Sequence, residues 1–179
     1  GTSVAMKAEW ANQSVNTDGQ IAQGTGTGIG DSSGSEGAGI ASAFDGNTSQ
    51  ATTAGFMSAT GGTGYVGKDW ESGTTKTITK AIVYPSTSGH CNGNVATFTC
   101  KLQGSSDNST WVDLQTFTGQ NSNSAGTLTF DSPVTTTAYR YHRAYLTNGS
   151  GNTTWSELEF FEAPVTGKEA RLHGWAVNY

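Results

Sequence analysis

The stretch Ala43-Phe44-Asp45-Gly46-Asn47-Thr48-Ser49-Gln50 sets a carboxylate, a glycine and two carboxamides close together, just after a run of Gly and Ser. Such a row can supply an acid, an oxygen donor set for a cation, or a turn in which Asp45 caps its own backbone. Catalysis asks for more: a nucleophile beside a base, or two carboxylates opposed across a cleft. Carboxylates are plentiful, among them Asp69, Asp107, Asp113, Asp131, Glu157 and Glu159, but most fall at turns or strand ends, where solvated Asp and Glu are ordinary. The three histidines are isolated, with no His-x-His or His-x-x-x-His spacing for zinc. His142, inside "YRYHRAYL", reads as a hydrogen-bonded core histidine. The run "GTGTGIG", Gly24 to Gly30, has the spacing of dinucleotide-binding glycines. That motif works only between a strand and a helix, and nothing downstream has a helical pattern, so it reads as loop. No catalytic constellation emerges, and the chain reads as a protein that is not an enzyme.

The elements that must position these residues are short strands. In a chain of 179 residues, one domain's length, only 34% of residues are apolar and 13% charged, with 25 glycines. Seven segments have β character and are separated by Gly, Asn, Asp and Ser: "YVGKDW", "KTITKAIVY", "VATFTCKLQG", "WVDLQTF", "GTLTF", "YRYHRAYL" and "WSELEFFE". In the third, Ala96, Phe98, Cys100 and Leu102 fall on one face; in the sixth, His142, Ala144 and Leu146 do. Close spacing without an amphipathic helix predicts an all-β antiparallel sandwich or jelly roll. Residues 1–39 read as a Gly/Ser/Thr-rich extension or long loop, with 11–39 lacking regular structure. Residues 40–162 read as the domain. The tail 163–179 carries Leu172, Trp175, Val177 and Tyr179 and is expected to pack on the domain or on a partner chain.

Charge excludes some partners. The net charge of −5 and the scattering of nine Lys and Arg leave no basic footprint for nucleic acid or an anionic membrane surface. No apolar run has the length of a spanning helix, so membrane insertion is not expected. The N-terminus lacks a charged region followed by an apolar one, so an extracellular location would follow either removal of a leader or another route, as for a virion-surface protein. Cys91 and Cys100 are compatible with one disulfide or with two thiols.

Four segments then fall in order: Ala43 to Asn47, Gly104-Ser105-Ser106-Asp107 with Trp111, Arg140-Tyr141-His142-Arg143, and Glu157-Leu158-Glu159. This resembles the discoidin family, also called coagulation factor 5/8 type C, whose relatives include galactose-binding-like carbohydrate-binding modules. The resemblance covers about residues 40 to 162 and implies an eight-stranded jelly roll that binds without catalysing. In many relatives the D-G-N loop and the glutamate opening the last strand share a structural calcium. Carried over, Asp45, Asn47, Gln50 and Glu157 would hold Ca2+, although Gln50 stands where relatives often have Thr. The alternative, Asp45 as a turn cap, stays open.

Sugar binding needs an aromatic face for the pyranose and planar amides for its hydroxyls, on loops held by a rigid scaffold. In the family such loops cluster at one end of the sandwich, which singles out Phe56 in "TTAGFMSATGG", His90, Asn92 and Asn94 in "PSTSGHCNGN", and Asn148 and Asn152 in "TNGSGNTTW". Relatives that grip galactose have an arginine shortly after a Tyr-x-Pro strand; here Tyr84-Pro85 is followed by Ser86-Thr87-Ser88-Gly89-His90. The expected function is recognition of a cell-surface or polymeric glycan by a secreted or virion-surface protein. The alternative is a structural decoration or appendage protein that keeps the fold without a sugar site and assembles as a homo-oligomer, or with a protein partner, through its termini.

Overall fold

Alternation of large apolar and small polar side chains builds two antiparallel sheets that close on each other over one core. The computed structural model describes residues 18–31, 38–51, 53–58, 63–87, 89, 91–92, 97–120, 126–133, 136–147 and 151–164. Its strands are β1 Thr27–Gly30, β2 Phe56–Met57, β3 Thr63–Asp69, β4 Lys80–Pro85, β5 Cys91–Asn92, β6 Phe98–Ser105, β7 Val112–Gln120, β8 Leu128–Phe130, β9 Tyr141–Thr147 and β10 Asn152–Phe161. One sheet runs β1-β3-β9-β6-β7; the other runs β2-β10-β4-β8, with β5 also paired to β10. Without the two-residue strands β2 and β5, eight remain, the number expected of the jelly roll. Each of the seven segments with β character contributes a strand.

The faces follow the sequence periodicity. Phe98, Cys100 and Leu102 of β6 are buried, as are His142, Ala144 and Leu146 of β9. The apolar ones meet Ala81 and Val83 of β4, Phe130 of β8 and Leu158 and Phe160 of β10 in one cluster, and the His142 ring lies edge-on to Phe160. At about 25 cal/mol per Å² of apolar area removed from water, this shared core is the main favourable term for the fold.

Two expectations are corrected. Residues 11–39 are not without regular structure: β1 pairs with β3 from Thr27↔Asp69 to Gly30↔Val66. Ahead of it, Gln20 bridges Phe161 and the Ile21 N–H donates to Phe160 O at 2.8 Å. The glycines of β1 make room. A Cβ on Gly28 would lie 2.7 Å from Ile40 Cγ2, so only glycine lets the 3₁₀ helix Ile40–Phe44 close on this strand. Phe56 is the second: expected on a loop, it lies in β2 and belongs to the core. Trp175 and Tyr179 lie outside the described residues, as does the Cys91 side chain, while Cys100 is buried.

Candidate functional site

The 3₁₀ helix Ile40–Phe44 buries Ala43 and Phe44 in the core and thereby presses the loop after it against β10. Gly46 turns with φ 82°, a left-handed conformation suited to glycine. Its N–H donates to Glu157 Oε2 at 3.1 Å. Asp45 Oδ1 accepts the Asn47 N–H at 2.8 Å, and Asp45 Oδ2 accepts the Gln50 amide at 2.5 Å. The Asn47 side-chain oxygen accepts the Ser49 N–H at 3.1 Å, and the Gln50 N–H donates to Ser156 Oγ at 3.1 Å. Asp45 is thus a turn cap, and the same turn brings it beside Glu157. All four residues expected to hold a cation are gathered here, although Glu157 stands more than 100 positions from the other three in the chain.

Glu157 is fully buried. Burial pushes its carboxyl up to about 7; the Gly46 N–H opposes the rise, and the charge of Asp45 adds to it. Its other oxygen accepts the Gln23 amide, which also donates to Leu158 O at 3.2 Å. Next along the face, Glu159 accepts Gln20 at 2.9 Å and the Tyr84 hydroxyl at 3.0 Å. Burial first, and Glu159 second, raise that tyrosine to about 12.

Whether calcium suits the cluster can be judged from its atoms. The acceptors are all oxygen, the charge of Asp45 is felt by Glu157, and Gln50 Oε1 is buried without a hydrogen-bond partner. Turned about its terminal bond, the Gln50 amide would present that oxygen where its nitrogen now meets Asp45. Among the described residues no three His, Cys, Asp or Glu side chains form a metal group, so amide and main-chain oxygens would have to complete the shell. The residues fit calcium on those terms.

A lysine in the same neighbourhood was not foreseen. Lys68, next to last in β3, is 4% exposed; its Nζ donates to Gln23 O at 2.7 Å and lies 4.0 Å from the centre of the Phe44 ring. Burial lowers its affinity for a proton, and the charge of Glu157 raises it. A cleft of about 390 Å³ opens beside it, floored by Gly24, Gly26 and Gly28 and walled by Gln23, Ile40 and Phe44. The glycine run is therefore a strand and a cleft floor. It does not lead into a helix of the dinucleotide-binding kind.

The loop end of the sandwich lies where β1, β4 and β9 finish and β3 and β10 begin. Asn92 and Asn152 are register partners in the β5–β10 pair, so two of the predicted amide positions stand side by side. The Asn152 amide lies 3.7 Å from Met57 Sδ. Ser86 and Thr154 hydroxyls fasten the turn between β4 and β5 to Gly89 O at 2.8 and 2.9 Å. Phe56 is a correction: it has no exposed surface and stacks on Trp155 with centroids 5.2 Å apart, so it offers no face to a sugar. His90, Asn94 and Asn148 lie outside the described residues, as does the Asn92 side chain.

The remaining motif residues act elsewhere. Asp107 accepts N–H groups from Ser109 and Thr110 at 2.9 and 2.7 Å, which hold its carboxyl well below the usual range and shape the loop that delivers Trp111. Arg140 grips Asp69 through two bonds of 2.8 Å. His142 is fully buried, as expected, and its Nδ1 accepts the Trp70 indole N–H at 2.8 Å. Arg143 points to the outside of the five-stranded sheet. Its guanidinium carbon lies 3.9 Å from the ring centre of Trp111, 4.7 Å from that of Tyr65 and 4.8 Å from that of Tyr145. Alternation along β9 puts Tyr145 and Arg143 on the face opposite His142, but nothing local in the sequence brings Tyr65 and Trp111 to them.

The lectin domain of lectinolysin complexed with Lewis B antigen matches with TM-score 0.57 and 18% identity, over 80% of this chain and 97% of that one. CBM62 from Clostridium thermocellum Xyl5A matches with TM-score 0.54 and 26% identity, over 78% and 96%. The family 32 module from C. perfringens NanJ in complex with galactose matches with TM-score 0.52 and 20% identity, over 80% and 98%. No family model matches the chain, and no curated protein sequence matches it. The fold is that of the galactose-binding-like carbohydrate-binding modules.

Proposed function

We propose that this chain is a non-catalytic glycan-binding module, carried on a secreted or virion-surface protein, that takes a cell-surface or polymeric glycan at the loop end of its sandwich. The observation that supports the reading is a likeness extending over 80% of the chain to modules solved with Lewis B antigen and with galactose. The local geometry agrees with it, since a rigid β10 holds Asn152 beside Asn92 where loops converge. Asp45, Gln50 and Glu157, with the main chain near Asn47, would hold calcium and lock the first of these loops; the ion would supply charge neutralisation and cross-linking.

Galactose itself is not carried over, because the segment after Tyr84-Pro85 has no arginine. The test is a glycan array probed with the full chain, followed by Asn152→Ala. Binding to a defined glycan that weakens about tenfold or more on loss of the amide supports the reading, tenfold being 1.4 kcal/mol, near the value of one good polar contact. An array without hits, or hits indifferent to Asn152, defeats it.

One observation favours a second reading. Phe56, the single aromatic among the loop positions singled out, is sealed in the core, as it would be in a structural decoration protein that kept the fold and lost the sugar site. Such a protein would assemble through its termini. A native mass that falls to the monomer on removal of residues 165–179, together with a silent array, would select this reading.

A further inference from the structure

We propose that the outer face of the five-stranded sheet, centred on Arg143, is a separate binding surface for a carboxylate-bearing glycan chain. Arg143 sits at the middle of β9, opposite Gly67 on β3 and Gln103 on β6. Gly67 leaves the space open: a Cβ there would meet Arg143 Cβ at 2.7 Å. Three aromatic rings from three parts of the chain surround the guanidinium, Tyr65 from β3, Tyr145 from β9 and Trp111 from the loop before β7. Its Nε donates to Gln103 Oε1 at 2.7 Å, and the Gln103 amide donates in turn to Asp113 at 2.6 Å.

This arrangement holds an arginine in one orientation and leaves it, among the described residues, without a carboxylate at ion-pair distance. The other cations of the face are committed, Lys101 to Asp113 at 2.7 Å and Arg140 to Asp69 at 2.8 Å. Among the described residues no carboxylate lies within ion-pair distance of Arg143, although Asp31 and Asp113 act on it through space. Its terminal nitrogens make no hydrogen bond to a described residue, and the side chain is half-buried. A planar guanidinium with its two terminal nitrogens open matches a carboxylate fork, and half-exposed aromatic rings on both sides match the C–H faces of pyranose rings. A uronic acid unit presents both features at once. The net charge of −5 opposes a polyanion at long range, so the contact is short-ranged and belongs at physiological salt, where screening reduces that repulsion.

The surface stands apart from the loop end, and the two fail separately. Oligogalacturonides are titrated into the full chain at physiological salt while the tryptophan indole and arginine Nε–H signals are followed by NMR, with neutral galacto-oligosaccharides in parallel. The expected result is saturable movement of the Trp111 and Arg143 signals with the acidic oligosaccharide. Affinity should fall about tenfold or more in Arg143→Gln, and nearly as far in Arg143→Lys, which keeps the charge and loses the fork. Unmoved Trp111 and Arg143 signals in the wild-type chain would overturn the proposal whether or not the variants fold. Unchanged affinity in both variants would do the same, as would a self-associated native chain that Arg143→Gln converts to monomer, which would make this face a contact between copies. Array binding that persists in Arg143→Gln belongs to the loop end; oligogalacturonide binding with a silent array would leave the sheet-face site standing alone.

Discussion

Protonating His142 would put a charge on a fully buried ring whose Nδ1 already accepts the Trp70 indole N–H. Burial holds this imidazole down at about 3, against 6.5 for the ordinary side chain. The unfolded chain therefore binds the proton first as pH falls. The stability contributed by the neutral ring is complete above pH 6.5 and is lost as pH drops from 6.5 through about 3. Its size, at about 1.4 kcal/mol per pKa unit, is on the order of 5 kcal/mol. Thermal unfolding between pH 7 and pH 4 should show a falling Tm, and His142→Gln, whose amide oxygen can accept the indole N–H without titrating, should remove this part of the slope. An unaltered slope in the variant would assign acid sensitivity to other groups. At the same scale Gln23 and Gln20 hold the Glu157 and Glu159 carboxylates. Nothing about a glutamine early in a Gly-rich run announces that role.

The D-G-N loop and β10 form the joint that matters among the elements. The Gly46 N–H and the Ser156 hydroxyl already tie them, and calcium shared by Asp45 and Glu157 would tie them again. An ion bound only by the folded state stabilises by RT ln(1 + [L]/Kd), about 2.7 kcal/mol at a hundredfold excess over Kd. Chelator should therefore lower Tm, calcium should restore it, and Asp45→Ala or Glu157→Gln should abolish the difference. A melting curve indifferent to both chelator and calcium, with elemental analysis confirming removal of metal, would leave the joint to hydrogen bonds and to the nearby Lys68.

For the whole molecule, the segment before the domain boundary expected from composition is part of the fold. Residues 18–31 cover the edge of β3 and supply the carboxamides that satisfy two glutamates of β10. Buried acceptors left without donors cost about 1 to 3 kcal/mol each, and an uncovered strand edge invites pairing between chains. A chain starting at residue 18 should unfold near the temperature of the full chain, whereas one starting at residue 32 should unfold several degrees lower or aggregate. Thermal denaturation with size-exclusion chromatography measures both; equal behaviour of the two truncations would make β1 dispensable.

The sequence by itself determined the two-sided strands. In β6 and β9 the alternation is local, each side chain's face being set by its neighbours two positions away, so burial of Phe98, Cys100 and Leu102, and of His142, Ala144 and Leu146, could be read directly. The D-G-N loop and the E-L-E strand were likewise legible as motifs. β1 was not, because on the face turned to Ile40 and Phe44 it has only Gly28 and Gly30, which carry no side chain to mark a period. Phe56 was misplaced for a related reason, since a two-residue strand is too short to show a period. Only the tertiary structure decided that Lys68 lies beside Gln23 and Phe44, and that Trp111, Tyr65 and Tyr145 surround Arg143. Those neighbours are set by the register between strands far apart in the chain, and register is fixed by how the whole core closes.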